Sequence, residues 1–249
     1  MRAVVLSSSS KGNSTFIEVN NTKFLIDAGL GFNDIKGKLF DIGVDPAEIS
    51  FILVTHAHSD HVRSIHSFNR VYNTKIYIGK ETFQEYSKNE LLTNYEFIDE
   101  IDEINGISIT KIPISHDKKG FGYVVEYNNE SLCYISDTGM IHFKYHKYLM
   151  NKNIYLFESN HDVEMEMSGT KDEYTKTRNI GDEGHLSNEQ CSMYLNMFIG
   201  ENTKHIVLIH ISEHDNLPEL AYKVNRESID KRIPIYLSYP DKMSEQIII

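Results

Sequence analysis

At one junction of the chain the apolar run Phe51-Ile52-Leu53-Val54 passes straight into Thr55-His56-Ala57-His58-Ser59-Asp60-His61. A short run of this composition predicts a buried strand, and a strand that stops at a group of imidazoles holds them rigidly at its end. His56 and His58 lie two residues apart, so in extended chain they leave on the same side and can share one metal ion. Asp60 and His61, beyond a turn, can face a second ion close by. A solvated loop is the competing reading. It is weak for a chain with only 12 histidines in 249 residues, three of them here in a ligand-like pattern.

The surrounding pattern is that of an α/β protein. Short runs rich in Val, Ile, Tyr and Phe predict strands at Ala3–Leu6, Thr15–Val19, Lys23–Ile26, Phe51–Thr55, Lys75–Ile78, Ile107–Ile114, Gly122–Tyr127 and Ser131–Ile135. Helices are expected over Glu81–Leu92, over Asn188–Ile199 behind a Ser187/Gln190 capping box, and over Pro218 to about Asp230, with proline in the first turn. No repeat, heptad pattern or low-complexity linker divides the chain, and one domain over 1–249 is expected. The polar stretch 160–184 is the exception, expected as a long loop or helical insertion that forms a lid near the site.

Composition excludes several classes. No apolar run reaches membrane-spanning length, and Cys133 and Cys191 have no CxxC spacing, so neither a membrane partner, a disulfide framework nor a thiolate zinc site is indicated. A cytoplasmic setting is expected. The net charge of −11 argues against a broad sequence-independent grip on nucleic acid, although two divalent ions would offset four of those charges inside the cleft.

The run His56-x-His58-x-Asp60-His61 resembles the HxHxDH signature of the metallo-β-lactamase superfamily. That resemblance implies an αββα sandwich, two mixed β-sheets flanked by helices. It also implies a third histidine after a later strand, an aspartate shared by two metals, and a closing histidine. His116 in ISHD, Asp137 in ISDTG and His210 in IVLIHIS each follow an apolar run as His56 does. Carried over, His56, His58 and His116 would hold metal 1, Asp60, His61 and His210 metal 2, and Asp137 would bridge. Zinc is the first expectation and manganese the second. Asp27 in FLIDAG is open between two readings: a carboxylate that holds a ligand histidine by its other ring nitrogen, and a turn residue before Gly29.

Within the superfamily, a histidine at position 61 disfavours the β-lactamases proper, and the absence of glutamate inside the run disfavours the flavodiiron oxidases. Asp117-Lys118-Lys119 after His116 disfavours glyoxalase II. The segments SSSSKGNST, ISHD, FESNHDVEM and GHLSN resemble the YycJ/WalJ group of phosphodiesterases, whose members are described as exonucleases. They also resemble the phage-borne anti-Pycsar cyclic-nucleotide phosphodiesterases. The resemblance implies a phosphodiester-cleaving hydrolase that uses a metal-bridging hydroxide. His185 and His161 are candidates for phosphate binding or leaving-group protonation beside Asp60. His214 is expected at the surface or behind a ligand.

The first substrate expectation is a 3′,5′-cyclic nucleotide opened to the 5′-monophosphate, with Tyr174 of the lid as a stacking residue. The second is a DNA or RNA strand attacked by a 5′ exonuclease. That reading calls for a basic track beside the metals, whereas Lys171, Lys176 and Arg178 are interleaved with Asp172 and Glu173. A non-catalytic binding protein is disfavoured by the intact ligand set. A homodimer is expected from the resemblance, and the tail Ile247–Ile249 is expected to pack on the domain or on a second chain.

Overall fold

The computed structural model describes residues 1–249 as two seven-stranded sheets packed face to face, with helices on both outer faces. The first sheet contains β1 (Arg2–Ser7), β2 (Ser14–Val19), β3 (Thr22–Ile26), β4 (Ile49–Leu53), β5 (Lys75–Ile78) and β6 (Tyr95–Phe97). The second contains β7 (Glu103–Ile104), β8 (Ile107–Pro113), β9 (Phe121–Tyr127), β10 (Glu130–Ile135), β11 (Ile154–Glu158), β12 (His205–Ile209) and β13 (Ile235–Leu237). The last strand, β14 (Ile247–Ile248), returns to pair antiparallel with β1, so the apolar tail closes the first sheet and gives no motive for a second chain. Both sheets are mixed. Strands β3 to β6 run parallel and β1 to β3 antiparallel, and β10 to β13 run parallel while β7 to β10 run antiparallel.

Alternation along the central strands explains the layering. In β10, Leu132 and Tyr134 point into the core between the sheets, while Cys133 and Ile135 point outward beneath helices. Strands covered on both faces read as continuous apolar runs, which is why the alternation is invisible in the sequence. Phe24 and Phe51 stack at 4.6 Å in the inter-sheet core, each contributing about 2 kcal/mol by burial alone. Helices α1 (Phe32–Asp41), α2 (Ser59–Val62), α3 (Ile65–Tyr72) and α4 (Lys80–Glu85) cover the first sheet. Helices α5 (His146–Leu149), α8 (Asn188–Phe198) and α9 (Pro218–Ser228) cover the second. The stretch 160–184 holds two short helices, α6 (Val163–Ser168) and α7 (Glu173–Ile180).

The expected helix over Glu81–Leu92 is broken. Helix α4 stops at Glu85, Tyr86 turns into the core in extended conformation, and Asn89 Nδ2 donates to the Phe83 carbonyl before one 3₁₀ turn at Asn89–Leu91. The capping box of α8 is present as expected, with Ser187 and Gln190 each accepting from the other's backbone. No helix is long and apolar enough to cross a membrane.

Candidate metal centre

The C-terminal ends of β3, β4, β8, β10, β11 and β12 meet along one edge of the sandwich, and each delivers a polar side chain. Asp27 follows β3, His116 lies beyond β8, Asp137 beyond β10 and His210 beyond β12, while Glu158 is the last residue of β11. Three of these positions, Asp27, Asp137 and His210, have left-handed backbone with φ of 60°, 55° and 54°. Non-glycine residues visit that region seldom, and such positions concentrate where a site dictates the backbone.

The loop that carries His56 to His61 is held from below by Asp27. Its carboxylate accepts from Thr55 N and Thr55 Oγ1, each at 2.8 Å, and from His61 Nδ1 at 2.7 Å. Of the two readings open for Asp27, the structure realises the supporting one. With Nδ1 occupied, His61 turns Nε2 toward Asp137 Oδ2 at 3.3 Å and Asp60 Oδ2 at 3.4 Å. The segment SSSSKGNST closes the loop from the other side. Asn13 Nδ2 donates to Asp60 Oδ2 at 3.2 Å and approaches His61 Nε2 at 2.9 Å, and the Asn13 amide donates to the Asp60 carbonyl at 2.7 Å.

This stitching requires glycine at position 29. A Cβ there would stand 1.5 Å from the Asp60 carbonyl oxygen, a backbone atom fixed by its own hydrogen bond. Gly29→Ala is therefore expected to destabilise the fold by about 3 kcal/mol or more, read as a lowered denaturation midpoint. An unchanged midpoint would mean the loop is not locked as described.

The seven expected side chains converge. His56, His58 and His116 bring ligand atoms within 4.8 Å of one another, as do Asp60, His61 and His210, and Asp137 joins His56 and His61 in a third such group. His56 Nε2 and His58 Nδ1 are 3.0 Å apart. His116 Nδ1 donates to the Gly184 carbonyl at 3.2 Å, which leaves Nε2 facing the cluster. His210 Nδ1 donates to Glu158 Oε1 at 2.9 Å, and its buried Nε2 has no hydrogen-bond partner.

Asp27, Asp137 and Glu158 are buried and Asp60 nearly so, and they face the imidazoles of His61, His185 and His210. Burial opposes protonation of His61, yet the carboxylates of Asp137, Asp27 and Asp60 raise its pKa well above the ordinary value. Burial likewise opposes protonation of His210, but Asp137 and Glu158 raise its pKa to about 9. Burial and the neighbouring imidazoles of His61, His116 and His58 hold His56 well below the usual range. Buried carboxylates in this number demand cations, and an orphaned imidazole nitrogen aimed among them suits a metal ligand. The residues fit a pair of divalent ions.

Glu158 is the member that the sequence reading missed. Fully buried, it accepts from His185 Nδ1 and His210 Nδ1 through Oε1, both at 2.9 Å, and from the Thr138 and Leu186 amides through Oε2. Burial would raise its pKa, but His185 and His210 hold it far below the usual carboxylate range. The signal was available, because Glu158 ends an apolar strand as the other members follow one. His185 sits beside the cluster, its Nδ1 3.8 Å from Asp137 Oδ1, and its other ring nitrogen has no protein partner.

His161, expected to share that role, lies within reach of the charges of His185 and Glu158 but is fully enclosed, neither ring nitrogen is hydrogen-bonded, and burial lowers its pKa. His214 is exposed. In the stretch 160–184, Lys171 is consumed by Glu166 at 3.1 Å and Asp215 at 2.7 Å, and Lys176 donates to the Met167 carbonyl. These lysines fasten α6 and α7 in place and do not form a basic track.

Residues 10–149 match the Metallo-beta-lactamase superfamily. Over 223 residues the chain is 32% identical to Exodeoxyribonuclease YycJ of Bacillus anthracis, covering 87% of this chain and 84% of the relative. It is 33% identical over 226 residues to Exodeoxyribonuclease WalJ of Streptococcus pneumoniae serotype 2, covering 88% and 84%. Among solved structures, the metallo-beta-lactamase fold protein YhfI from Bacillus subtilis superposes with a TM-score of 0.71 at 14% identity, covering 97% of this chain and 98% of that one. At that identity the likeness speaks for the shared fold.

Proposed function

Because the chain belongs to the metallo-β-lactamase superfamily, as a metal-dependent hydrolase related to YycJ and WalJ, we propose that it is a phosphodiesterase that shortens nucleic-acid strands from an end. The observation that carries this reading is the identity of 32% and 33% with two exodeoxyribonucleases over 87% and 88% of the chain. It reverses the order of the two substrate expectations, placing DNA or RNA ahead of a cyclic nucleotide.

On this reading His56, His58 and His116 would hold one divalent ion and Asp60, His61 and His210 a second, with Asp137, which groups with His56 and His61, available to both. Histidine and carboxylate donors without a thiolate suit zinc first and manganese second. Bound there, the ions supply Lewis acidity toward phosphate oxygens and activate water near neutral pH. The chain's own residues do the rest. Asp27 and the Gly184 carbonyl each occupy one nitrogen of a ligand imidazole, which fixes its tautomer and direction. Glu158 accepts from His185 Nδ1, so Nε2 is the nitrogen turned to the reaction. As a water oxygen bonds to phosphorus and the bond to the leaving oxygen breaks, a proton on His185 Nε2 passes to that oxygen, with the ring oriented by the Glu158 carboxylate. His161, fully enclosed, takes no step on this reading.

A cyclic nucleotide keeps one observation in its favour. Tyr174, 80% exposed, and Arg178 line a cavity of about 460 Å³ on the lid, and Arg178 Nη1 lies 3.9 Å from Asp117, the neighbour of His116. Turnover of a labelled oligonucleotide, cyclic AMP and cyclic UMP, measured side by side with zinc or manganese added, separates the two readings. The oligonucleotide is expected to be the faster substrate at moderate salt. Faster turnover of either cyclic nucleotide would overturn the proposal.

A further inference from the structure

The overall negative charge conceals a local positive one. Between Asp137 and Glu158 no carboxylate occurs, and Lys144, Lys147 and Lys152 alternate there with Phe143, Tyr145 and Tyr148. The structure pins this segment from beneath. Ile141 and Leu149 are buried, the Ile141 amide donates to the Tyr194 hydroxyl at 3.1 Å, and His146 Nε2 donates to the Ile141 carbonyl at 2.9 Å while its ring meets Phe198 edge-on. What stands between these anchors faces outward on a fixed backbone. Phe143 is 77% exposed and stacks on His142 at 4.9 Å, and Lys144 and Lys147 are exposed with no carboxylate within 4.0 Å.

The segment adjoins the metal centre. A cavity of about 220 Å³ has His116 on one wall and Lys119, His142, Lys144 and Tyr145 on the others. Lys119 is also exposed and without a carboxylate partner. Asp117, the acidic residue of that loop, leans toward His58 at 3.3 Å and His116 at 3.2 Å. Ammonium groups set beside an open aromatic face, in a groove that shares a wall with the cluster, match the alternation of phosphate and base in an unpaired strand. A duplex keeps its base faces hidden and could use only the lysines. We propose that the face formed by Lys119, Phe143, Lys144 and Lys147 is a single-strand track that leads nucleic acid to the centre, with a base on Phe143 and phosphates on the lysines. This rests on the nucleic-acid reading above and supplies the basic track that the lid lacks.

The test uses the full chain loaded with metal, a fluorescently labelled single-stranded oligodeoxynucleotide, a blunt duplex of the same length, and a small chromogenic phosphodiester. Phe143→Ala is expected to raise KM for the single strand roughly 5- to 150-fold, the loss of one stacked base. The K119A/K144A/K147A variant is expected to flatten the salt dependence of log kcat/KM by about 2, at about 0.7 for each phosphate contact removed. Both variants should hydrolyse the small diester at the parent rate, and Phe143→Ala should leave the duplex unaffected. Parent-like KM and salt slope in both variants would overturn the track while leaving the phosphodiesterase reading intact. Competition by polyglutamate as effective as that by unlabelled strand would show a general anion patch and overturn it too. A parent that cleaves the small diester but no oligonucleotide would defeat the nucleic-acid reading itself.

Discussion

Replacing Asp137 by alanine should lower turnover of a small phosphodiester by more than about 100-fold, the upper end of what losing only an outer partner of a metal ligand costs. Asp137 groups with His56 of one candidate ligand set and His61 of the other, and lies 3.3 Å from His61 and 3.5 Å from His210. Its removal takes a negative charge from a buried site whose remaining members are mostly imidazoles, so bound metal should fall with activity. Its left-handed backbone makes alanine an imperfect probe, since alanine is strained there. Asp137→Asn removes the charge while keeping a side chain that tolerates that conformation, and it should show the same loss with a circular dichroism spectrum like the parent's. Full turnover in Asp137→Asn would remove Asp137 from the centre.

The second large effect is expected at Glu158. Glu158→Gln retains size but replaces a carboxylate that accepts four hydrogen bonds with an amide that must turn an NH2 group toward a donor. We expect kcat to fall about 10- to 100-fold, because both His185 and His210 lose the charge that orients them. In a His185→Ala background the same change should cost less, since one of the two imidazoles it serves is already gone. Equal losses in both backgrounds would mean that Glu158 acts through His210 and the metals alone. Kinetics on the small diester with metal content measured in parallel distinguish these outcomes.

What could be read from the sequence depended on whether partners were neighbours along the chain. His56, His58, Asp60 and His61 fall within six consecutive positions, so their grouping is local and visible. His116, Asp137 and His210 were legible because each follows an apolar strand, and strands that share a direction end along the same edge. Glu158 obeys the same rule but ends its strand, where a glutamate reads as an ordinary surface residue, and its partners His185 and His210 are 27 and 52 residues away. His161 is the opposite case: its place in the motif ESNHD suggests chemistry, and its enclosure is visible only in the packing. The basic segment 142–148 is plain in composition, but nothing local says that it lies against His116. Helix Glu81–Leu92 was overcalled because its propensity continues past the point where Tyr86 is drawn into the core.

Whether hydrolysis depends on metal held by this cluster is decided by stripping the purified protein with a chelator and restoring it. Elemental analysis of the untreated protein should find about two divalent ions per chain, in keeping with the two ligand groups that Asp137 joins. The stripped protein should lose diester turnover and regain it when zinc or manganese is returned. Full turnover in protein shown to contain no metal would rule out a metal-dependent centre.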